Sequence, residues 1–537
     1  MCNINLLTIK VGTVCLPLFF ILFSLNVSFA QTRFNKIYNI IKSTEGYDFY
    51  LAITNLNVQG NNFFVVGAVP DSTTISNSEV NAFLLIDSIG NIQEKKILLT
   101  GNEMLRHAIA PKTLLTLNHK YYMLGYNSDY TTDSIYPYLL IYDTISNQTV
   151  EYNLNNINFS FMPELSQNLY CYNGKIYAAV SAIENGSSQR IHCYIIDTSG
   201  NLQSIFNYYT SGYNEILPKL INHTSNKLLL FSSITKQVAS LALISRIIAR
   251  RIDSLGNFID YFYQGSFADS LYGIEDVIAT KDGGFLIATQ RYTYSPSFDY
   301  QFSYGVFLKL DSAGQKQWIY NPGGYRCNSC DWSYNTIELP CGDFMLSGTF
   351  TLYGVPFDTT IPPELNQPAR FWHLSRITNQ GELVWRRLYN YIKPNNYAYY
   401  NYYNFDLDTC PDKGFILSGY ISDDINVLDS GWLVKVDSMG CLLPGCHLSP
   451  PEVPTDSSVH VLLYPNPAND FINFMPQFFE SDVEYRLVDM LGRSVVHGTV
   501  PDGSTNMIDS RFLPAGTYLL CVNNDKVRIT KKVVVQR

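Results

Sequence analysis

The chain has 537 residues, which is too long for one ordinary domain unless a repeat array or a large all-β body holds it together. Tyr (40) and Phe (31) are abundant and charged residues make up only 15%, a composition that favours half-buried strands over a disordered or coiled-coil chain. A net charge of −9 argues against nucleic acid as a partner, because binding to phosphates requires a clustered basic face.

The first predicted element is an export signal. Lys10 precedes the apolar run VGTVCLPLFFILF, and the small residues Ser28 to Ala30 offer a cleavage site. Residues 1–30 are therefore predicted to be a signal peptide that is cut between Ala30 and Gln31. No later segment is apolar over the length needed to cross a bilayer, so we expect the mature chain to lack a transmembrane segment.

After the signal, one hairpin turn occurs seven times at intervals of 54 to 67 residues. An alternating apolar strand such as NAFLLI precedes each turn, and a strand that ends in small residues, such as NNFFVVG, comes before it. A weaker strand such as IEDVIAT and a strand after the turn such as LVWRRLY complete each unit. Four antiparallel strands repeated at this period predict a β-propeller. The turns begin at Asp87, Asp143, Asp197, Asp253, Asp311, Thr378 and Asp437.

The residues of this turn follow from its geometry. An Asp at the first position accepts hydrogen bonds from the turn backbone, and a Gly at the fourth supplies a positive φ. Two copies depart from the pattern. Ser146 replaces the Gly in one copy, although Asn147 beside it tolerates a left-handed conformation, and Thr378 replaces the Asp in another.

The seventh unit lacks its fourth strand, because the chain after Asp437 enters a proline-rich segment. The missing strand is predicted at the other end of the chain: RFNKIYNII, Arg33 to Ile41, is similar to the strands that follow the other turns. Closing the ring in this way would remove exposed sheet edges. We therefore predict a seven-bladed β-propeller over residues 31–446, with six or eight blades as the alternatives.

Pro451 and Pro454 mark a linker, predicted at residues 447–458, and a short strand-rich domain, predicted as a β-sandwich, occupies residues 459–537. Its segments LLYPNPANDFINF, YRLVDMLGRSVV, LPAGTYLLCV and VRITKKVVVQR resemble the type A C-terminal sorting domain of the type IX secretion system. The residues that match the family's motifs are Pro465, Asn466, Pro467, Asp470, Gly492, Arg493, Gly516, Tyr518, Lys531 and Lys532.

This resemblance implies export across the outer membrane by the type IX machinery, followed by removal of the tail by a sortase. It places the mature protein outside the cell or on its surface, by way of the periplasm. The repeat body more loosely resembles the propeller regions of other exported proteins that carry such tails. That second resemblance concerns the fold and implies no ligand.

Nine cysteines follow the signal, and oxidation is possible in an exported chain. Cys441 and Cys446 flank a short Pro-Gly turn and are the predicted local disulfide. Cys327 and Cys330 have the spacing of half a zinc site, but a second close pair is missing, so a disulfide or free thiols are favoured over a metal.

Candidate chemistry is sparse in the sequence. The eight His are scattered, and no phosphate-binding loop, dinucleotide fingerprint or nucleophile elbow occurs, so neither a cofactor nor a catalytic residue is predicted. The run NNYAYYNYYNF, residues 395–405, reads either as packing against a neighbouring blade or as a binding loop. The turns also resemble bacterial O-glycosylation triplets, with Ser88, Thr144, Ser254, Ser312 and Ser438 as the possible acceptors.

The sequence favours a secreted or cell-surface propeller that binds an extracellular protein or glycan through its loops. One alternative is an extracellular hydrolase or lyase that acts on a polysaccharide or protein, with residues from distant blades meeting at the channel. The other is a structural part of the cell-surface machinery. A meeting of several carboxylates at the channel would favour the enzyme, and an aromatic, polar rim would favour binding.

Overall fold

The structure is a computed structural model, and the residues that it describes are 32–42, 48–50, 52–70, 79–98, 105–109, 112–129, 134–154, 159–161, 168–184, 188–223, 227–239, 242–295, 300–322, 332–352, 369–389, 400–423, 428–442, 460–464, 466–477, 479, 481–501, 504, 506–524 and 527–536. Strands dominate them, and the single helix within these ranges is a 3₁₀ turn at Phe267–Asp269. The predicted signal peptide lies outside these ranges. Within them, no helix is long and apolar enough to cross a membrane.

The repeat body contains thirty-one strands. They are β1 (Phe34–Lys42), β2 (Asp48–Tyr50), β3 (Ala52–Gln59), β4 (Asn62–Pro70), β5 (Glu79–Ile86), β6 (Ile92–Leu98), β7 (Leu105–Ile109), β8 (Leu115–Leu117), β9 (Lys120–Asp129), β10 (Ser134–Asp143), β11 (Gln148–Asn153), β12 (Phe159–Phe161), β13 (Asn168–Tyr172), β14 (Lys175–Glu184), β15 (Arg190–Asp197), β16 (Leu202–Tyr208), β17 (Asn214–His223), β18 (Lys227–Ala239), β19 (Ala242–Ile252), β20 (Phe258–Gln264), β21 (Leu271–Ala279), β22 (Phe285–Ser295), β23 (Tyr300–Leu310), β24 (Lys316–Tyr320), β25 (Ser333–Glu338), β26 (Phe344–Leu352), β27 (Ala369–Ile377), β28 (Leu383–Tyr389), β29 (Tyr400–Thr409), β30 (Phe415–Asp423) and β31 (Leu428–Val436).

Consecutive strands pair antiparallel and form one sheet or part of a sheet for each repeat. Repeats 1, 4, 5 and 6 are the separate four-stranded sheets β3–β6, β17–β20, β21–β24 and β25–β28. Repeats 2 and 3, β7–β11 and β13–β16, share a sheet because β12 pairs with both β10 and β14. This succession of four-stranded antiparallel sheets is the architecture of a β-propeller, as the sequence predicted.

Repeat 7 is completed from the other end of the chain. Its strands β29, β30 and β31 pair in order, and β1 then pairs antiparallel with β31. Phe34 lies opposite Lys435, and Tyr38 lies opposite Gly431. The strand predicted at Arg33 to Ile41 is therefore the neighbour of the last apolar strand of the repeats.

The middle strands of a repeat are buried on both faces because each face packs on a different neighbour. In β22, Phe285 and Ile287 join a core with residues of repeat 4, whereas Leu286 and Ala288 join a core with residues of repeat 6. All four side chains are at most 1% exposed. Alternation along these strands thus divides residues between two interfaces instead of between core and solvent.

The repeated turn has the geometry that its residues predict. In the copy at Asp87, the N–H of Gly90 donates to the Asp87 carbonyl at 3.0 Å, and the Asp87 carboxylate accepts from the N–H groups of Ile89 and Asn91 at 3.1 and 2.8 Å. Gly90 has φ +83°. Thr378 performs the same task with its hydroxyl, and Asn147 takes a positive φ of +57° where the glycine is missing.

The turn glycine also provides space for a ring from the neighbouring repeat. A Cβ added at any of six turn glycines would lie 2.4 to 3.3 Å from an atom of that ring. Each ring belongs to the strand that completes the preceding repeat. The ring and glycine pairs are Phe34 with Gly90, Tyr152 with Gly200, Phe206 with Gly256, Phe262 with Gly314, Trp318 with Gly381, and Trp385 with Gly440.

The turn at Asp143 keeps this contact in another form. Lys96, on the last strand of repeat 1, donates from Nζ to the carbonyl and side-chain oxygens of Asn147 at 2.8 and 2.9 Å, and lies over the Tyr142 ring. The turn without a glycine is thus also the turn without an aromatic ring against it. The loss of the glycine on one side of the interface between repeats 1 and 2 therefore accompanies the loss of the ring on the other side.

The C-terminal region forms two sheets around one apolar core. Its strands are β32 (His460–Tyr464), β33 (Phe471–Gln477), β34 (Val483–Asp489), β35 (Ser494–Val500), β36 (Asn506–Asp509), β37 (Gly516–Asn523) and β38 (Arg528–Val535). The sheet orders are β32-β33-β36 and β35-β34-β37-β38. Ile472 and Phe474 from the first sheet and Leu487 and Leu520 from the second belong to the same buried cluster.

Exchanging the turn glycine for alanine tests how much the ring contact contributes. Gly256 and Gly342 have nearly equal φ values of +89° and +90°, but a Cβ at Gly256 would meet Phe206 at 2.4 Å whereas one at Gly342 would meet open space. Gly342→Ala should lower the free energy of unfolding by about 1–2 kcal/mol through backbone strain alone. Gly256→Ala should cost a further 1–3 kcal/mol or so from overpacking. Equal losses in chemical denaturation would show that the ring contact contributes nothing.

Candidate functional site

The first strands of the repeats form the inner surface of the propeller. β29 contacts β3, β17 contacts β21, and β21 and β25 each contact the first strand that follows. In five of these strands the pairing register shifts by a β-bulge near the middle, which redirects the side chains there. In repeat 7 the bulge packs a carbonyl against a glycine of the second strand, since a Cβ on Gly419 would lie 1.8 Å from the Tyr403 oxygen.

Asn and Asp side chains of the inner strands connect four of the repeats to the next one. In repeats 1, 5 and 7 this residue follows the bulge, whereas in repeat 3 it lies on β13, whose register is regular. These side chains accept hydrogen bonds from backbone N–H groups of the following repeat, which lie on its first strand or, for Thr113, just before β8. The pairs are Asn55 with Thr113 at 2.7 Å, Asn168 with Leu220 at 2.7 Å, Asp276 with Thr336 at 2.9 Å, and Asp406 with Leu56 at 3.1 Å. Asparagine and aspartate therefore make the same bond at equivalent positions, so the negative charge is not needed for the connection.

Charged residues are concentrated beside these connections in repeats 2, 4, 5 and 7. We call this group the inner-strand cluster: Lys112, Lys219, Glu275, Asp276, Asp406 and Asp408. Lys112 of repeat 2 donates from Nζ to the Tyr334 carbonyl, and its Nζ lies 3.5 Å from Oδ2 of Asp276. It thereby joins repeat 2 to repeats 5 and 6. Within the described ranges, the cluster contains no group of three ligands arranged for a metal.

Burial favours the uncharged forms of side chains in the cluster. It raises the pKa of Asp406 to about 7, against the opposing charge of Lys112, and it also raises the pKa of Glu275 and Asp408. Burial, aided by the charge of Lys112, lowers the pKa of Lys219 to about 8. Groups with such pKa values can exchange protons at physiological pH, a property common at functional sites.

Aromatic residues lie beside the cluster towards the start of the inner strands. Tyr334 and Phe405 occupy bulge positions of repeats 6 and 7, with ring centroids 6.1 Å apart, and Tyr403 stacks on Tyr420 at 4.6 Å. The second half of the tyrosine run is not a loop, because Tyr400 to Phe405 belong to β29. Its residues 395–399 lie outside the described ranges.

The sequence did not predict this cluster. Its members are more than 50 residues apart in several cases, and the charges in GIEDVIA and NFDLDTC look like ordinary exceptions in weak strands. A signal was available in these segments: adjacent Glu275 and Asp276 interrupt a strand whose neighbours are apolar. Only the bulges and the packing of the repeats bring these side chains to one level.

The predicted turn hydroxyls lie where modification could reach them. Thr144 and Ser312 are exposed, and Ser88, Ser254 and Ser438 are half-buried. Each lies in the repeated turn, just after the strand that leads into it. O-glycosylation at these positions stays a prediction.

Of the six described cysteines, Cys441 is disulfide-bonded and the other five are free. The predicted partner, Cys446, lies outside the described residues, as do Cys327 and Cys330. The free cysteines are Cys171, Cys193, Cys341, Cys410 and Cys521.

The predicted sorting residues fix the end of the chain to the start of the tail. The Asn466 side chain donates to the Lys532 carbonyl at 2.7 Å and accepts from the Val534 N–H at 2.8 Å. Tyr518 donates its hydroxyl to the Pro514 carbonyl at 2.8 Å, and Gly492, with φ +79°, ends a turn that begins at Asp489. Pro465 lies outside the described residues. Recognition of these residues by the export machinery stays a prediction.

The raised pKa of Asp406 predicts a pH dependence of stability. The folded chain binds this proton more tightly than the unfolded chain, so stability falls as the pH rises from about 4 to about 7. Asp406→Asn keeps an acceptor for the Leu56 N–H and should remove up to about 4 kcal/mol of this dependence. The reciprocal Asn55→Asp should steepen it. Unfolding curves of Asp406→Asn that track the wild type at every pH would contradict the assignment.

Comparison with solved structures finds similar chains at low identity. The β-propeller domain of the Trilobed protease from Pyrococcus furiosus has 10% identity over 76% of this chain and 98% of that one, with a TM-score of 0.38. The α-L-arabinofuranosidase Arb93A from Fusarium graminearum has 10% identity over 61% and 93% of the two chains, with a TM-score of 0.37. A search of the curated proteins gives no match.

The tail gives a specific match. Residues 462–536 fit the family model of the secretion system C-terminal sorting domain. The match begins at the third residue of β32 and includes the other six strands of the tail. This match agrees with the motifs at Asn466, Gly492 and Tyr518 and with the two-sheet structure that contains them. The chain is thus a β-propeller cargo of type IX secretion, exported to the cell surface or the extracellular space.

Proposed function

We propose that, after the signal peptide, the chain is a closed, seven-bladed β-propeller (residues 31–446), joined by a linker (447–458) to its sorting domain (459–537). Three contacts support closure. β1 pairs with β31, the ring of Phe34 lies at the Gly90 turn of repeat 1, and Tyr38 donates its hydroxyl to the Gly90 carbonyl at 2.9 Å. The bond from the Leu56 N–H to Asp406 joins the same two repeats at the inner surface.

Closure can be tested by comparing two equivalent phenylalanines. Phe34 lies at the interface between repeats 7 and 1, and Phe206 lies at the interface between repeats 3 and 4. In a closed ring, replacing the buried Phe34 by Ala should lower the free energy of unfolding by about 3–5 kcal/mol, and replacing the half-buried Phe206 by Ala should lower it by about 2–3 kcal/mol. A loss below about 1 kcal/mol for Phe34→Ala, beside a full loss for Phe206→Ala, would indicate an open ring.

We further propose that this propeller is a secreted or surface-displayed binding protein and that the inner-strand cluster takes part in binding. The proposal rests on a comparison between repeats. Asp276 and Asp406 make the connection to the next repeat with a carboxyl group, although Asn55 and Asn168 make the same connection with a neutral amide. Buried charges reduce stability unless they are paired, so their presence calls for a role beyond joining blades. The stacked rings of Tyr403 and Tyr420 beside the cluster are half-buried and suit contacts with an extracellular polymer.

A hydrolase or lyase is the second candidate, and the carboxyl groups favour it. Burial raises the pKa of Asp406 to about 7, so this carboxyl near the channel could keep its proton and act as a general acid. Asp276 differs in that its Oδ2 accepts from both the N–H and the hydroxyl of Thr336, at 2.9 and 3.2 Å. Two carboxyls in unlike surroundings are the starting point for acid–base catalysis.

Binding and hydrolysis can be separated with the purified protein. On immobilised glycans and surface proteins, we expect saturable binding without release of reducing ends or peptides. The Asp406→Asn and Glu275→Gln variants provide the comparison. Turnover by the wild type that falls by about 100-fold or more in either variant would replace the binding assignment with the enzyme. Retention by neither class of polymer would contradict both.

A further inference from the structure

Two members of the inner-strand cluster face each other across neighbouring repeats without bonding. Lys219 lies on β17 and Glu275 on β21, and these strands are in contact. The two charges interact, since each influences the proton affinity of the other, but they do not form an ion pair. An ammonium donor and a carboxylate acceptor thus lie on neighbouring inner strands without an ion pair between them.

Lys219 has no hydrogen-bond acceptor within the described part of the chain, although its side chain is only 5% exposed. The Nζ atom of Lys219 nevertheless keeps contact with solvent, so water, or a ligand hydroxyl that replaces it, can supply the acceptor that the protein does not. Burial lowers the pKa of Lys219 to about 8, so the group still carries its charge at neutral pH. A lysine in this position favours a ligand that presents an acceptor to Nζ.

Glu275 is held on one side and open on the other. Its Oε1 accepts from the buried Gln290 side chain at 3.3 Å, and Oε2 has no partner within the described ranges. Glu275 is also the extra residue of the bulge, because Ile274 and Asp276 pair with consecutive residues of β22. The bulge is the feature that directs this side chain out of the regular alternation.

The charges around Lys219 and Glu275 select the kind of ligand. An anionic group would meet Glu275, Asp276 and Asp406, whereas a cationic group would meet Lys112 and Lys219. An uncharged hydroxyl can accept a hydrogen bond from an ammonium and donate one to a carboxylate, so a pair of adjacent hydroxyls satisfies both sides. Tyr272 and Tyr292 lie near Glu275, and their ring centroids are 4.6 Å apart. Both rings are half-buried, which leaves a ring surface on which a sugar can stack.

We propose that Lys219 and Glu275 form a subsite for an uncharged, hydroxyl-rich glycan, with adjacent hydroxyls of one sugar bridging the lysine Nζ and the glutamate Oε2. This inference rests on the proposed binding function and specifies its ligand class. It assigns the site to the inner surface of the propeller, in contrast to binding through loops on the outside. It also explains why the lysine and the glutamate stay apart.

The test uses the purified protein on an array of neutral, acidic and amino-sugar oligosaccharides, followed by calorimetry with the neutral glycan that is bound best. Lys219→Met and Glu275→Gln each remove one side of the bridge and should raise the dissociation constant about 10- to 100-fold. Lys281 and Glu338 are the matched control. They also belong to neighbouring repeats, and Glu338 accepts from the Lys281 N–H at 2.8 Å, outside the cluster. Lys281→Met and Glu338→Gln should change affinity less than about twofold.

The outcomes separate this proposal from the general binding function. Neutral glycans bound equally by the wild type and both cluster variants would overturn the subsite and leave binding intact. Preference for acidic or amino sugars, or for a protein ligand alone, would also overturn it. Retention of no polymer would remove both proposals. Replacing the buried Lys219 by Met should not lower the melting temperature, so a loss of affinity in that variant reports on the site.

Discussion

The repeat body depends on one steric constraint at the hairpin turns. Each turn glycine must have a positive φ and must also leave room for a ring from the preceding repeat, as Gly256 does for Phe206. The first requirement sets the shape of the hairpin, and the second sets the distance between neighbouring sheets. The exception supports this account, because the turn that lacks the glycine is contacted by Lys96 instead of a ring.

The same constraint explains how the two ends of the repeat body meet. Phe34 stands at the Gly90 turn in the way that Phe206 stands at Gly256, so β1 supplies both a sheet partner for β31 and a contact for repeat 1. The aromatic contact near the turns and the bond from Leu56 to Asp406 at the inner surface connect the same repeats. A strand from the N-terminus can therefore substitute for one that the chain could have supplied after Asp437.

Stability and possible function are separated within the inner strands. Backbone connections between repeats need only a side-chain acceptor on an inner strand, which Asn55 and Asn168 provide without charge. Asp276 and Asp406 provide the same acceptor as carboxyls, next to two lysines, at an expense in desolvation that the fold does not require. A propeller tolerates such variation because each blade repeats the hydrogen bonds of the backbone while its side chains differ. The site is therefore assigned by side chains that depart from the repeat.

The sequence by itself determined the repeated turn, the four-stranded unit and the sorting tail, because these depend on residues close together in the chain. Asp87 and Gly90 are three positions apart, and their hydrogen bonds and φ follow from local chemistry. The tertiary structure decided which repeats meet and which side chains share a space. Lys219 and Glu275 come together through the packing of β17 on β21 and through a bulge that no alternation pattern encodes. Local periodicity specifies the face of a strand, whereas the neighbour on that face depends on how whole sheets pack.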